Sequence, residues 1–285
     1  MDIKKYYDKA KKLFMRFLKS DDNKISLVRD VLVALILVFI VLLALWTYTG
    51  QWFGIPMVAI ETNSMQHLDE PFGRVGTINA GDMVLLVKTN DKSDIEPYIE
   101  RNPHNIQYGK TGDVIVFHPD GEMDRIQIIH RAMCWVEYNE EYDTYTVEGY
   151  GIYNQTSVTI RELGLNGWVH PKEDKEGNPI IPHSGFITKG DNPVTNTVCD
   201  QAGGLSEQPI KMSWVSGKAR GEIPWVGTIN LLFNDIVSGG ESTVKHVPDD
   251  SRVCLIVLIV VLISIPVSLD LYSYFKSKND KKNHE

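Results

Sequence analysis

The sequence contains little cysteine, and this scarcity limits the kinds of site that it can hold. Three cysteines occur in 285 residues, with no Cys-x-x-Cys pair and no cluster of histidine and cysteine at zinc-ligand spacing. We therefore expect no zinc site. Cys254 lies in an apolar run, so Cys134 and Cys199 are the pair that could form a disulfide, on the oxidising side of a membrane. The sequence also has no internal repeat and no low-complexity tract.

Charged residues are missing from two long stretches. Residues 31–46 are sixteen consecutive apolar residues, and residues 253–269 are seventeen uncharged residues, two of them serine. A helix crosses the hydrocarbon core of a bilayer with roughly 20 mostly apolar residues. The stretches therefore predict transmembrane helices at residues 31–50 and 251–273, with a buried core helix as the alternative for each.

Lysine and arginine are distributed unequally around these stretches. Nine of them lie in residues 1–30 and four in residues 274–285, whereas none lies in residues 31–72. Because cytoplasmic segments carry an excess of basic residues, both termini are predicted to be cytoplasmic and residues 51–250 to face the other side of a cell membrane or endoplasmic-reticulum membrane. A cleaved signal peptide is the alternative interpretation of the N-terminus, but no small-residue cleavage pattern follows the apolar run.

The part of the chain between the basic ends is acidic. Residues 31–269 carry a net charge of −13, and the whole chain carries −8. Such a charge disfavours nucleic acid as a partner, and it disfavours binding flat to anionic lipid, because both surfaces carry phosphate groups. The region of about 200 residues is long enough to bury one sizeable core.

The region between the apolar stretches is predicted to be mainly β and to form the domain that the two membrane helices anchor. It contains short runs rich in β-branched and aromatic residues, separated by turn residues. These runs are "DMVLLVK" (82–88), "DVIVFH" (113–118), "RIQIIH" (125–130), "YTVEGY" (145–150) and "SGFITKG" (184–190). No helical period of comparable length appears there. Residues 137–183 are predicted to be an insertion or lid that is exposed and mobile at residues 170–179, and residues 222–233 either pack in the core or rest on the membrane surface.

The segment "ETNSMQH", residues 61–67, lies soon after the first apolar stretch and contains Ser64. A serine hydroxyl is a poor nucleophile unless a neighbouring base takes its proton. Met65, the next residue, is expected to lie in the bilayer interface while the hydroxyl faces a groove. Serine in a loop is an ordinary residue, so Ser64 needs a base elsewhere in the chain to become a candidate.

His130 ends the short apolar run in "RIQIIHRAM", residues 125–133. If the run is a strand, Ile126, Ile128 and His130 share one face, and Arg131 points to the opposite side, where it could pair with an acid. Burial of the apolar face would hold the imidazole in place and keep it partly neutral. A lone histidine at such a position is more often a core or edge residue than a catalytic base.

The ordered motifs of residues 55–235 resemble those of type I signal peptidases of the archaeal and endoplasmic-reticulum kind. The motifs are "NSM" (63–65), "GDMVLLVK" (81–88), "TGDVIVFH" (111–118), "IIHRAM" (128–133), "FITKGDNP" (186–193), "CDQ" (199–201) and "VSGKARGEIPWVG" (215–227). The resemblance implies a membrane-bound serine protease with a mostly β catalytic domain, no metal and no cofactor. Its partners would be signal peptides, the lipid bilayer and the protein-export translocon.

The resemblance also implies roles for individual residues. Ser64 would be the nucleophile, and His130 would be the general base, at the position where the bacterial branch has a lysine. An aspartate would orient the imidazole, and Asp200 is preferred to Asp191, which would then brace its turn. The oxyanion hole would use the backbone N–H of Ser64 and the Thr62 hydroxyl, with an ordinary turn hydroxyl as the alternative for Thr62.

Some features depart from the family pattern and leave other interpretations open. The nucleophile is followed by Met-Gln-His where relatives usually have Met-Glu-Pro, so His67 is a second candidate base. A bacterial-type Ser–Lys protease would use Lys88, Lys110 or Lys189, none of which is at the family's base position. The alternative of a different class is a membrane-tethered binding or assembly module with a degenerate site.

Overall fold

The computed structural model describes residues 22–52, 54, 56–174, 177–239 and 243–282, together with positions 8, 11 and 15. Most of the predicted cytoplasmic segment 1–30 therefore lies outside the described residues. The chain divides into two units, residues 1–54 and residues 55–285. The described α-helices are α1 (Asn23–Thr49), α2 (Asp200–Gly203), α3 (Gly227–Ser238) and α4 (Asp249–Lys282).

Helix α1 is the described structure of the first unit. Asp22 caps it by accepting hydrogen bonds from the backbone N–H groups of Lys24 and Ile25, and Gly50 ends it at a positive φ of 68°. Its 27 residues reach about 40 Å at 1.5 Å per residue, which exceeds the roughly 30 Å of a bilayer's hydrocarbon core.

Helix α4 in the second unit is also long and apolar. It has 34 residues, contains Pro266 and continues to Lys282, beyond the predicted boundary at residue 273. The parts of α1 and α4 at Lys24–Thr49 and Asp249–Lys276 could cross a membrane by length and composition. The prediction of two long apolar helices, one near each end of the sequence, is confirmed.

The second unit is mainly antiparallel β-sheet, as the sequence predicts. Its strands are β1 (Met57–Ala59), β2 (Met83–Val87), β3 (Ile106–Gln107), β4 (Lys110–Thr111), β5 (Val114–Phe117), β6 (Ile128–Asn139), β7 (Thr144–Val147), β8 (Ile152–Gln155), β9 (Val158–Ile160), β10 (Leu165–Trp168), β11 (Gly185–Lys189) and β12 (Val215–Ile223). Each of the five runs predicted as strands overlaps one of them. The short 3₁₀ helices are Lys92–Asp94, Tyr98–Glu100, Pro119–Gly121, Glu148–Tyr150, Arg161–Leu163, Met212–Trp214 and Val244–His246.

Eight strands form the main sheet in the order β1-β2-β12-β5-β6-β7-β8, with β11 paired to β6. Strand β6 is central because its first residues pair with β5 and later ones with β11 and β7. This register places His130 opposite Ile115 and Arg131 opposite Val114. Strand β1 ends the sheet, and its outer edge has no strand partner in the described parts of the chain.

Four apolar clusters lie in the second unit, and one of them packs around Ile115, Phe117 and Phe186 of the central strands. The core near β1 contains Ile60, Met65, Ile78, Val84, Leu86, Val114, Val116 and Ala219. Another core lies around β6 to β10 and includes Val136, Val147, Val158, Ile160 and Leu165. Much of the predicted insertion 137–183 is thus strand, and it shares this core with Cys134 of β6 and Ile187 of β11. In its predicted mobile part, Glu173 bridges Pro179, and residues 175 and 176 lie outside the described residues.

Helix α3 corrects the expectation that no long helix lies between the apolar stretches. Leu231 on its inner side is fully buried against Ala80 and Val247. On its other side, the apolar side chains Ile229, Leu232, Phe233, Ile236 and Val237 are 52–73% exposed. Their spacing of three or four residues is helical, but the residues do not fill a core, and the pattern extends beyond residue 233, the end of the segment singled out in the sequence.

Candidate functional site

Ser64 and His130 line the same cleft, although 66 residues separate them in the sequence. The cleft has a volume of about 1010 Å³ and is also lined by Thr62, by residues of β1, and by Val116 and Ile129. This volume is at the upper end of the range for binding sites of small ligands. The described residues that line the cleft include no lysine.

The Ser64 turn is fixed by burial on both sides. Ile60 before it and Met65 after it are 3% and 1% exposed and pack in the same core. The expectation that Met65 lies in the bilayer interface is therefore wrong, because its side chain fills the protein interior. A buried anchor next to Ser64 holds the turn in one position while the Ser64 side chain lines the cleft.

Asparagines that sequence reasoning missed bind the backbone of this turn. Asn192 donates its backbone N–H to the Ser64 carbonyl at 2.9 Å and its side-chain amide to the Asn63 carbonyl at 2.8 Å. Asn196 donates its side-chain amide to the Ser64 carbonyl at 3.0 Å. A Cβ at Gly190 would lie 2.6 Å from that same carbonyl, so the close approach requires glycine.

His130 forms a buried pair with Asp200. Its Nδ1 lies 2.7 Å from Oδ2 and 2.9 Å from Oδ1 of the carboxylate, and the two side chains are 2% and 3% exposed. Thr188 of β11 donates its hydroxyl to Asp200 Oδ2 at 2.6 Å. These contacts fix the imidazole and leave Nε2 without a hydrogen-bond partner among the described residues.

Asp191 lies in a different set of contacts. Its carboxylate accepts hydrogen bonds from Arg131, at 3.0 Å from Nε and 2.5 Å from Nη2, and lies 3.1 Å from His67 Nε2. Burial alone would raise the pKa of the Asp191 carboxyl, but the hydrogen bonds from His67 and Arg131 and the nearby charges of Arg131 and Lys110 hold that pKa well below its usual range. Asp191 thus braces its turn against β6 and does not contact His130.

Arg131 is the largest fully buried side chain in the described chain. Besides Asp191, its guanidinium donates to the backbone carbonyls of Gln107 and Gly112 at 3.0 and 2.6 Å. The sequence indicated an arginine on the opposite face from His130 that could pair with an acid, and it gave no sign of complete burial. These contacts link β6 to the end of β3 and to the residue that follows β4.

The apolar face proposed to support His130 is only partly present. Strand β6 begins at Ile128, so Ile126 precedes the strand and is 78% exposed. The expected burial of Ile126 is wrong because the strand pairing with β5 ends at Phe117 and Ile128. Support for the imidazole comes from Asp200 and from β5 instead.

Thr62 lies beside the candidate nucleophile. Its Oγ1 is 3.4 Å from the Ser64 Oγ, and its side chain is exposed. Within the described chain, Ser64 Oγ has no hydrogen bond to His130. A nucleophile and its base are often farther apart in a free enzyme than in its substrate complex. The absence of this hydrogen bond therefore does not exclude the pair, and their position in one cleft keeps both as candidates.

The other candidate groups lie away from this pair. Lys110 donates to the Asp191 carbonyl at 3.1 Å, Lys189 donates to the Thr197 carbonyl at 3.0 Å, and Lys88 is exposed. Cys134 and Cys199 are buried free thiols and form no disulfide. Burial raises the pKa of the Cys199 thiol to about 11, so this thiol is not a reactive nucleophile at neutral pH.

No protein-family model and no curated protein matches the chain. The function must therefore be argued from the site itself and from the ordered motifs of the sequence.

Proposed function

We propose that this protein is a membrane-bound serine endopeptidase that removes signal peptides from exported preproteins, as type I signal peptidases do. The observation that carries the proposal is the buried His130–Asp200 pair, at 2.7 Å, on the cleft that Ser64 also lines. Serine, imidazole and carboxylate in this order are the groups that activate a hydroxyl for attack on a peptide carbonyl.

In the proposed reaction, Ser64 Oγ attacks the scissile carbonyl while His130 Nε2 takes its proton. His130 then gives the proton to the leaving amine, and a water molecule, activated by the same imidazole, releases the acyl group from Ser64. Asp200 fixes the tautomer in which Nδ1 carries the hydrogen and stabilises the imidazolium that forms. The Ser64 N–H and the Thr62 hydroxyl, 3.4 Å from Ser64 Oγ, would bind the oxyanion.

The substrate would be the extended cleavage region of a signal peptide. Strand β1 has an outer edge without a strand partner in the described chain, and its residues Val58 and Ala59 line the cleft. An extended peptide can pair with such an edge through backbone hydrogen bonds and place alternate side chains against the cleft wall. The apolar wall there suits small apolar side chains next to the cut.

The apolar helices support a membrane location for this reaction. Helices α1 and α4 could cross a bilayer, and α3 exposes an apolar face close in the sequence to the start of α4. We place the protein in a cell membrane or endoplasmic-reticulum membrane, with both termini cytoplasmic and the translocon as a further partner. An anchored enzyme gains effective concentration because the apolar segment of its substrate lies in the same bilayer.

The decisive test is cleavage of a preprotein by the detergent-solubilised full chain, followed by sequencing of the new N-terminus. The proposal expects one cut after the apolar segment of the signal peptide. If the folded wild-type protein binds the preprotein without cutting it, the membrane-tethered binding module replaces this proposal.

A further inference from the structure

The first turns of helix α4 pack against the chain that follows Ser64, a contact that a membrane anchor alone does not require. Most of the helix is not buried, but Ser251 and Leu255 are 1% and 8% exposed. We call residues 243–255 the docking segment. It contacts the Ser64 loop at two points, one on each side of the serine.

The first contact lies immediately before Ser64. Asn63 donates its side-chain amide to the His246 carbonyl at 2.9 Å. His246 belongs to the 3₁₀ helix of the docking segment and lines the same cleft as Ser64. Arg252 of α4 donates to the Val244 carbonyl at 2.7 Å, so the 3₁₀ helix is held to the first turn of the membrane helix.

The second contact reaches the chain just after Ser64 through three charged side chains, of which Arg74 and Asp250 are partly exposed and Glu70 is buried. Asp250 accepts hydrogen bonds from Arg74 Nε at 2.9 Å and from the Gly73 N–H at 3.1 Å. Arg74 also donates to Glu70 at 2.6 Å, and the Glu70 carboxylate is 3% exposed. The other oxygen of Glu70 accepts the backbone N–H of His67 at 2.9 Å.

The chain after Ser64 is also closely packed against α4 at Gly73. Gly73 lies so near the helix that a Cβ there would be 3.0 Å from the Cys254 Sγ. Trp225 donates its indole N–H to the Gly73 carbonyl at 2.7 Å on the other side. The docking segment therefore contacts the chain on both sides of Ser64, through His246 before it and through Asp250 of α4 after it.

We infer that the second membrane helix is a positioning element for the nucleophile, and that Asp250, through Arg74 and Glu70, orients the Ser64 loop for attack. The inference rests on the proposed function. Displacement of a reacting atom by about 1 Å can cost on the order of 100-fold in rate. We expect loss of the Asp250 charge to lower kcat by roughly 10- to 100-fold and to leave KM nearly unchanged, because the cleft wall of β1, β5 and β6 is untouched.

The experiment compares Asp250→Asn with Asp249→Asn in the full-length protein. Asp249 is a matched control because it is the adjacent acid in α4 and its 96% exposed side chain pairs with Arg252 Nη1 at 3.3 Å, not with Arg74, while Arg252 binds the Val244 carbonyl through Nη2. Preprotein cleavage gives kcat and KM, and hydrogen exchange gives the protection of backbone amides in residues 62–70. Asp250→Asn should lower kcat and speed exchange in this loop, while Asp249→Asn should change neither.

A second comparison separates positioning from general stability. In a Glu70→Gln background, Asp250→Asn should lower kcat no further, because the connection to His67 is already weakened. Equal kcat for Asp250→Asn and Asp249→Asn, or a fall in kcat with unchanged loop exchange, would overturn the inference. If the wild-type protein does not cleave the preprotein, the proposed function fails, and the exchange data alone decide whether the docking segment orders the loop.

Discussion

His130 and Asp200 lie 70 residues apart in the sequence, yet Nδ1 of the imidazole is 2.7 Å from the carboxylate in the protein interior. Asp191, the nearer aspartate in the same loop region, instead pairs with Arg131. Two aspartates nine residues apart thus serve two neighbouring residues of β6, one a candidate base and the other a buried cation. Asp200 can therefore orient the imidazole, whereas Asp191 balances the charge of Arg131.

Asparagine substitutions should separate the two aspartates. Asp200→Asn should lower turnover by about 10⁴, because the imidazole loses the carboxylate that fixes its tautomer, while the fold is retained. Asp191→Asn should lower the free energy of unfolding by roughly 3–5 kcal/mol, because the buried Arg131 loses its counter-charge. Turnover and melting temperature are measured for both variants. A stable, inactive Asp191→Asn beside an active Asp200→Asn would reverse the assignment.

The two candidate imidazoles should also differ. His130→Ala should be inactive, because His130 is the imidazole of the cleft whose Nδ1 is held by a buried carboxylate, that of Asp200. His67→Ala should lose less than about tenfold, because Asp191 keeps its contacts with Arg131. His130→Lys should not restore activity, since an amine needs a desolvated pocket to lose its proton near neutral pH. Equal loss at both histidines, in preprotein cleavage, would contradict the assignment.

Stability should depend on pH through Glu222. Burial raises the pKa of its carboxyl to about 7, with further contributions from the charges of Asp82 and Glu70. A carboxyl with a raised pKa in the folded state stabilises the protein below its ordinary pKa near 4.5 and loses this contribution as the pH rises through about 7. Glu222→Gln cannot ionise, so it should be more stable than the wild type at pH 8, on the order of 1–2 kcal/mol, and nearly equal at pH 4.

Thermal unfolding of the two proteins across this pH range checks the prediction. An equal difference in stability between the wild type and Glu222→Gln at pH 4 and pH 8 would contradict the prediction, because that difference would then come from packing and not from ionisation. Burial also raises the pKa of Asp82, to about 6, and Asp82 is present in both proteins, so the comparison reports on Glu222 together with its charge interaction with Asp82.

The orientation of the chain can be tested with a C-terminal tag. If α4 crosses the membrane and returns the chain to the cytoplasm, external protease should leave the tag intact in sealed right-side-out vesicles. A second tag in residues 177–180, in the predicted outer domain, should be digested under the same conditions and serves as the control. Digestion of the C-terminal tag in sealed vesicles would mean that α4 does not span.

The sequence allowed several of these features to be predicted because they depend on short stretches. Apolar runs without charge predict the two long helices, and β-branched runs predict the strands β2, β5, β6, β7 and β11. The choice between Asp200 and Asp191 depends on how a loop folds back on β6, and the sequence motif alone left both aspartates open. The structure supplies the contacts with His130 and Arg131.

Contacts between distant segments were beyond prediction. Met65 has the same apolar character whether it faces lipid or a core, so its burial depends on Ile78, Val84 and other residues that fold around it. The asparagines that bind the Ser64 turn lie about 130 residues away in the sequence. The helical spacing of the apolar residues of α3 is present in the sequence, but no local pattern shows that these side chains face outward and not into a core.

Removal of the Ser64 hydroxyl tests directly whether this serine is the nucleophile. Processing of a preprotein is followed in membranes that contain the wild-type protein, Ser64→Ala or Ser93→Ala, at equal expression and membrane insertion. Ser93 is an exposed serine outside the cleft and serves as the control. If Ser64 is the nucleophile, Ser64→Ala should give no processing and Ser93→Ala should give processing at the wild-type rate. Processing by Ser64→Ala at the wild-type rate would show that the nucleophile lies elsewhere.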